Sequence, residues 1–193
     1  RSIFFICFLV FPSTAGLLIL APRLIDIIPR YEKWEPALIP LALISINTFF
    51  AAGTTQLTNL LNATGKIKTT FKLMVMWSIL TWVFVPTLAI RFGINGAALG
   101  YAIVGASSVI AINVARKIVK FNIYEAICRP LIGTFIMSLA LFFIGKILPS
   151  NFFSIGVLVG LGIIFYMVAM YFIVGSSIVW DAKKVFRTIF SRS

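Results

Sequence analysis

The chain has 193 residues, of which 61% are hydrophobic and only 11% charged. A soluble domain of that length is nearer half apolar and about a quarter charged, so an aqueous globule is excluded and the bilayer is the solvent. Lys and Arg outnumber Asp and Glu 17 to 5 and there is no His, yet the basic residues gather between apolar runs, as topology signals do, which argues against a nucleic-acid partner. A spanning helix takes about 20 apolar residues, and this stock fills about six of them. In chain order the spans read as 2–22, 36–64, 70–90, 95–115, 130–148 and 152–175. The runs are too long and continuous for the alternation of barrel strands, so the fold class is all-α and polytopic.

Local signals punctuate the runs. Pro36 and Pro40 break the second early, and Gly65 after Asn62-Ala63-Thr64 reads as a helix stop. Pro86 bends the third near its end, and Phe92-Gly93-Ile94-Asn95-Gly96 predicts a tight turn into the fourth. Pro149-Ser150-Asn151 marks another turn. Two stretches, 116–129 and 178–192, mix Lys and Arg with apolar residues at helical spacing and suit helices lying in the membrane interface. The membrane unit is therefore 1–175 and the basic amphipathic tail 176–193. The chain opens on Arg1 with no signal-peptide pattern, and is expected to be a fragment lacking an N-terminal part.

Orientation follows the Lys/Arg bias. With the first helix starting inside, the inner side holds Arg1, Lys66, Lys68, Lys72, Arg116, Lys117, Lys120, Arg129 and the basic residues of the tail. The smaller outer set is Arg23, Arg30, Lys33, Arg91 and Lys146, so both ends are expected in the cytoplasm. Tyr31 and Trp34 at the outer boundary, with Tyr124 and Trp180 at the inner, fit an aromatic belt. Trp77 and Trp82 fall mid-span and read as packing residues.

Little here carries acid–base or metal chemistry. Cys7 and Cys128 have no metal or redox spacing, and without His a zinc or haem site is not expected. No carboxylate falls inside a span: Asp26, Glu32 and Glu35 lie outside, Glu125 and Asp181 inside. No catalytic residue, metal or cofactor is expected, because intramembrane charge is what flags proton relays and ion sites.

The second helix is the informative one. Ser45, Thr48, Ala52, Thr55, Asn59 and Asn62 fall in one stripe about 100° wide, with Gln56 and Thr58 beside it. Ile46, Phe50, Gly53, Leu57, Leu60 and Leu61 take the opposite face. An unpaired amide in hydrocarbon costs about 2–7 kcal/mol, so the stripe is expected to meet another helix or a watery cavity. One or two polar residues suffice for interhelical hydrogen bonds, whereas a stripe of this length favours a cavity lining of Ser45, Thr48, Thr55, Asn59 and Asn62. Gly96-x-x-x-Gly100, continued by Ser107 and Ala111, and Gly156-x-x-x-Gly160 give small-residue faces for close helix approach.

The order of features resembles one known family. Pro12-Ser13-Thr14-Ala15-Gly16 opens the pattern; Leu60-Leu61-Asn62-Ala63-Thr64-Gly65-Lys66 ends the amphipathic helix; Arg91-Phe92-Gly93-Ile94-Asn95-Gly96-Ala97-Ala98 ends the next span. This is similar to the C-terminal half of the oligosaccharide flippases of polysaccharide biosynthesis, in the superfamily that also holds multidrug exporters. The resemblance implies one lobe of a two-lobe flippase in a prokaryotic cytoplasmic membrane. It implies, as partners, a lipid-linked oligosaccharide, membrane lipids and the missing N-terminal lobe. Arg23 and Arg116, at helix ends, are the candidates for a phosphate or interface contact. The rival readings are a drug or metabolite efflux antiporter of the same superfamily, a membrane-embedded glycan polymerase, ligase or acyltransferase, and a non-transporting scaffold.

Overall fold

The computed structural model describes residues 2–28, 30, 32–118 and 124–175. Among these residues every regular element is helical. Helix α1 is Ser2–Ile27; a 3-10 turn, Glu32–Ala37, leads into α2, Leu38–Ala63; α3 is Ile67–Ala106 and α4 is Ser108–Ile118. A π-helical turn, Tyr124–Cys128, precedes α5, Arg129–Ile147, and α6 is Phe152–Val174. Five helical stretches are long and apolar enough to cross a membrane: Ile3–Ile27, Lys33–Ala63, Ile67–Ile118, Ala126–Ile147 and Phe152–Val174. The first helix runs on to Ile27, past the expected end at Pro22, and Pro40 falls in the first turn of α2, where it interrupts nothing.

The long third stretch is not straight. Its one residue with non-helical backbone angles is Gly93, at φ 60° and ψ −139°, a region that only glycine enters without strain. Along a straight helix Val85 and Gly100 would stand about 22 Å apart. Instead a methyl added to Gly100 would lie 2.8 Å from Cα of Val85, and one on Gly96 would overlap the carbonyl of Leu88. The chain therefore reverses at Gly93 into a hairpin of arms 67–92 and 94–106, and α4 follows the second arm after Ser107. The expected turn at 92–96 and the close approach at Gly96-x-x-x-Gly100 are both present. Gly105 continues that small-residue face against α2, where an added methyl would stand 2.6 Å from Cα of Asn47.

Three apolar clusters tie the helices in series. Ala15 and Leu20 of α1 pack with Met137 and Leu141 of α5 and with Leu158, Tyr166 and Met170 of α6. Ile3, Cys7 and Phe11 of α1 pack with Ala52 and Leu57 of α2 and Ala115 of α4. Leu61, Leu73 and Ala111 join α2, α3 and α4, with Trp77 against them. Phe49 of α2 touches both of the first two clusters, and its ring lies 5.0 Å from that of Phe11. Trp77 is thus the packing residue it was expected to be. Trp82 is not: it is 78% exposed, because it points away from α2 and α4 on the outer face of the 67–92 arm.

The ends of the helices are stopped by their own sequence. Gly65, at φ 76°, follows α2; its N–H bonds the Asn62 carbonyl at 3.0 Å and the Lys66 N–H bonds the Leu61 carbonyl at 2.8 Å. That crossed pair is the Schellman arrangement, and it satisfies two of the last carbonyls of α2. Asn151 caps α6, its side-chain oxygen accepting from the N–H of Ser154 at 3.0 Å and from the Ser154 hydroxyl at 2.6 Å. The second small-residue motif behaves differently from expectation. Gly156 and Gly160 are exposed with no atom within 4 Å of an added methyl, since α6 packs on α5 through Gly162 and Leu141 on its other side. The tail 176–193, Tyr31 and residues 119–123 lie outside the described residues.

One interhelical hydrogen bond has a local cause. Pro12 carries no N–H, so the Phe8 carbonyl one turn earlier loses its helical donor. The Tyr166 hydroxyl of α6 donates to that carbonyl at 2.9 Å, its ring 5.1 Å from the Phe8 ring. Tyr166→Phe is therefore expected to lower stability by about 0.6 kcal/mol, and by no more than about 1.7. In a Pro12→Ala background the restored N–H takes over the carbonyl and the cost of Tyr166→Phe shrinks; equal costs in both backgrounds, read from unfolding in detergent, would refute the pairing. The hairpin makes a second expectation. Gly96→Ala and Gly105→Ala lower the unfolding temperature through overpacking worth about 1–3 kcal/mol, whereas Gly156→Ala, with open space around it, leaves it unchanged or slightly raised.

Candidate functional site

The polar stripe of α2 does not act as one surface. Ser45, at 4% exposed, sits at the edge that turns into the bundle, level with buried Ala52, which packs on Ile3, Cys7 and Phe11 of α1. Thr48 is half-buried, while Thr55, Asn59 and Asn62 are exposed. Ile44 and Ala51 share that exposed arc. Gln56 beside it is half-buried and Thr58 is buried. The buried face runs through Gly53, Thr54, Leu57, Thr58 and Leu61, because α1, α3 and α4 all pack there. Of the apolar face expected from the sequence, Gly53, Leu57 and Leu61 are buried, Phe50 and Leu60 are half-buried, and Ile46 is 43% exposed.

Hydrogen bonding divides the stripe again. The Ser45 hydroxyl donates to the Leu41 carbonyl at 2.7 Å, Thr48 to Ile44 at 3.2 Å and Thr55 to Ala51 at 2.9 Å. Each hydroxyl thus spends its proton on its own helix and keeps only acceptor capacity for anything outside. The carboxamides of Asn59 and Asn62 have no partner among the described residues, so they offer both donors and acceptors. Such a surface has the donors and acceptors to meet hydroxyl or amide groups through neutral hydrogen bonds. It offers no side chain able to take or give a proton near neutral pH.

The two arginines are not brought together with the stripe or with each other. Arg23 is half-buried near the end of α1; its guanidinium lies 3.3 Å from where a methyl on Gly145 would be and donates to the Leu148 carbonyl at 3.5 Å. It serves the C-terminal end of α5, where a cation is favoured by the free carbonyls. Arg116 is exposed in the last turn of α4, at the opposite end of the bundle beside Ala115 and the α1 residues Ile3 and Cys7. Among the described residues no three His, Cys, Asp or Glu side chains gather in one place.

Sequence reasoning missed three buried polar atoms without hydrogen bonds: Thr70 Oγ1, Trp77 Nε1 and Asn95 Oδ1. All three lie on the hairpin, and none belongs to a periodic polar pattern that would have marked it. The Tyr166 link was also missed, although Pro12 four residues after Phe8 is its signal. No family model, curated protein or solved structure matches this chain.

Exposure of the stripe is testable in the bilayer. With Cys7 and Cys128 replaced by Ser, a single cysteine from Thr55→Cys or Asn59→Cys is expected to react with a water-soluble maleimide, and one from Ser45→Cys to be spared. The reagent needs thiolate, hence water, so a lipid-facing thiol at 55 or 59 would stay unlabelled and reveal itself.

Proposed function

We propose that this chain is one lobe of a flippase that moves lipid-linked oligosaccharide or polysaccharide repeat units across a prokaryotic cytoplasmic membrane. In this reading the two arms of the 67–118 hairpin cross separately, giving six crossings with both ends in the cytoplasm. A further N-terminal lobe faces the exposed arc of α2, and the two lobes rock to open a polar cavity alternately to each side. The glycan occupies the cavity while its lipid tail stays in the bilayer.

The observation that carries this reading is the exposed arc of Thr55, Asn59 and Asn62 on a helix otherwise built for hydrocarbon. Polar groups at membrane depth are costly unless they meet protein, water or a polar ligand. Two carboxamides with free donors suit the hydroxyls of a sugar, and the absence of an ionisable residue on the arc suits a neutral glycan better than a cation. The resemblance adds to this. Its two best motifs, Leu60–Lys66 and Arg91–Ala98, coincide with the Gly65 stop and the Gly93 reversal. They are motifs of architecture, so they support kinship in fold more than identity of substrate. The same arc on a drug or metabolite antiporter is the second reading, and it predicts a different phenotype.

The test uses the whole protein in its own membrane. Asn59→Leu and Thr55→Leu are expected to lower glycan export several-fold at unchanged protein level, with Asn59→Gln retaining most of it. Wild-type export from both leucine variants refutes the cavity assignment. Loss of surface glycan on deletion supports the flippase; gain of drug sensitivity with surface glycan intact supports efflux.

A further inference from the structure

The charge of the bundle is unevenly divided between its two ends. Gly65 joins α2 to α3 at one of them, and Leu61, Leu73 and Ala111 pack together just inside it. The last turn of α4 therefore reaches the same end, as Ala115 against Leu57 also requires. Lys66, Lys68 and Lys72 from the α2–α3 turn and Arg116 and Lys117 from α4 are all exposed there. No described residue pairs with any of these five cations. The described carboxylates Asp26 and Glu35 lie at the other end, interspersed with Arg30 and Lys33.

Gathered cations repel one another and raise the cost of the folded state unless an anion covers them. Lys68 and Lys72 stand one turn apart on the same helix, a spacing at which like charges are unfavourable. What surrounds them narrows the anion. Ile67, Phe71 and Met74 alternate with the lysines along the first turns of α3 and are 64%, 66% and 51% exposed, and Ile118 beside Lys117 is 36% exposed. Cations alternating with uncovered apolar side chains match the boundary where headgroups give way to acyl chains. A soluble acidic protein would leave that apolar collar against water, and a free phosphate would not touch it. An anionic phospholipid satisfies both parts, since its phosphate meets the lysines while its chains cover Ile67 and Phe71.

We propose that this end of the bundle, formed by the α2–α3 turn and the last turn of α4, is a binding surface for anionic phospholipid headgroups in the leaflet it faces. This goes beyond the transport reading and does not depend on it: it requires only that the helices span a membrane. Its consequence is selective recruitment of lipids such as phosphatidylglycerol around α3 and α4. The surface also fixes the depth of the α2–α3 turn in the membrane, because the lysines must reach the phosphates while Phe71 remains in hydrocarbon.

The full chain is reconstituted in vesicles of phosphatidylcholine containing about one-fifth phosphatidylglycerol, extracted in mild detergent, and its retained lipid identified by mass spectrometry. The ratio of phosphatidylglycerol to phosphatidylcholine in the retained lipid is expected to exceed the bulk ratio by about fivefold, the factor that roughly one surface cation supplies. Replacing Lys66, Lys68, Lys72, Arg116 and Lys117 with Gln removes the enrichment, whereas Lys33→Gln with Arg91→Gln at the other end preserves it. A wild-type control guards against misfolding of the five-fold variant: raising salt to about 1 M, where screening acts within roughly 3 Å, abolishes most of the preference. Retained lipid at bulk composition in the wild type overturns the proposal. So does enrichment that survives the five substitutions, or its loss on addition of inorganic phosphate at unchanged ionic strength, which would make the site one for free anion.

Discussion

Every backbone N–H and C=O at membrane depth must find a partner inside the protein, because hydrocarbon offers none. That constraint explains the helices, and it also explains where they touch. Pro12 removes one donor from α1, and the carbonyl it strands on Phe8 is met by Tyr166, 158 residues away in the chain. Ser13 and Thr14, the next two residues, turn their hydroxyls back onto Leu9 and Val10 at 2.7 Å. The carbonyl stranded by proline is thus met from α6, while the two hydroxyls only back-bond to carbonyls of their own helix. The repair also sets the register of α6 against α1, since a tyrosine one turn away would miss the carbonyl.

The same demand shapes the hairpin. Reversing direction with few backbone groups left unpaired requires a very short turn, and Gly93 supplies it with a single residue at positive φ. Two arms joined so tightly must then lie close, and Gly96 and Gly100 make room by having no side chain. Packing attraction rather than the hydrophobic effect holds helices together in lipid, so close approach at small residues is where the stabilisation is gained. Gly105 extends the contact to Asn47 of α2, which makes the second arm the shared neighbour of both α2 and the first arm.

How much of this was legible in the sequence depends on the range of the cause. Local causes were readable. Gly65 stops α2, Gly93 turns the hairpin and Asn151 caps α6, each through bonds within a few residues. The length of the apolar runs fixed the helical class for the same reason. Partner choice was not readable. Gly96-x-x-x-Gly100 and Gly156-x-x-x-Gly160 are alike as motifs, yet only the first meets a neighbour, because the turn at Gly93 delivers one. Trp77 and Trp82 are both mid-span, and which of them packs depends on the side from which α2 and α4 approach. The polar stripe of α2 was correct as a periodicity, but its edge at Ser45 and Ala52 turns inward, where Ala52 packs on α1, and helical phase alone does not reveal this.

That division of the stripe bears on how a membrane helix combines structure and function. Hydroxyl side chains are cheap to place in lipid because a carbonyl of the preceding turn always lies within reach, as Thr48 and Thr55 illustrate. Their presence therefore says little about what they face. A carboxamide has no comparable internal remedy: it carries two donors and an acceptor, and its own helix has no free N–H to give. Asn59 and Asn62 are both exposed, one turn apart on the same arc and approaching the Gly65 end of α2. These two residues, more than the number of polar positions, call for a polar environment on that side. Ile44 and Ala51 sit on the same arc farther from the turn, so the polarity grows toward the end where Lys66, Lys68 and Lys72 lie.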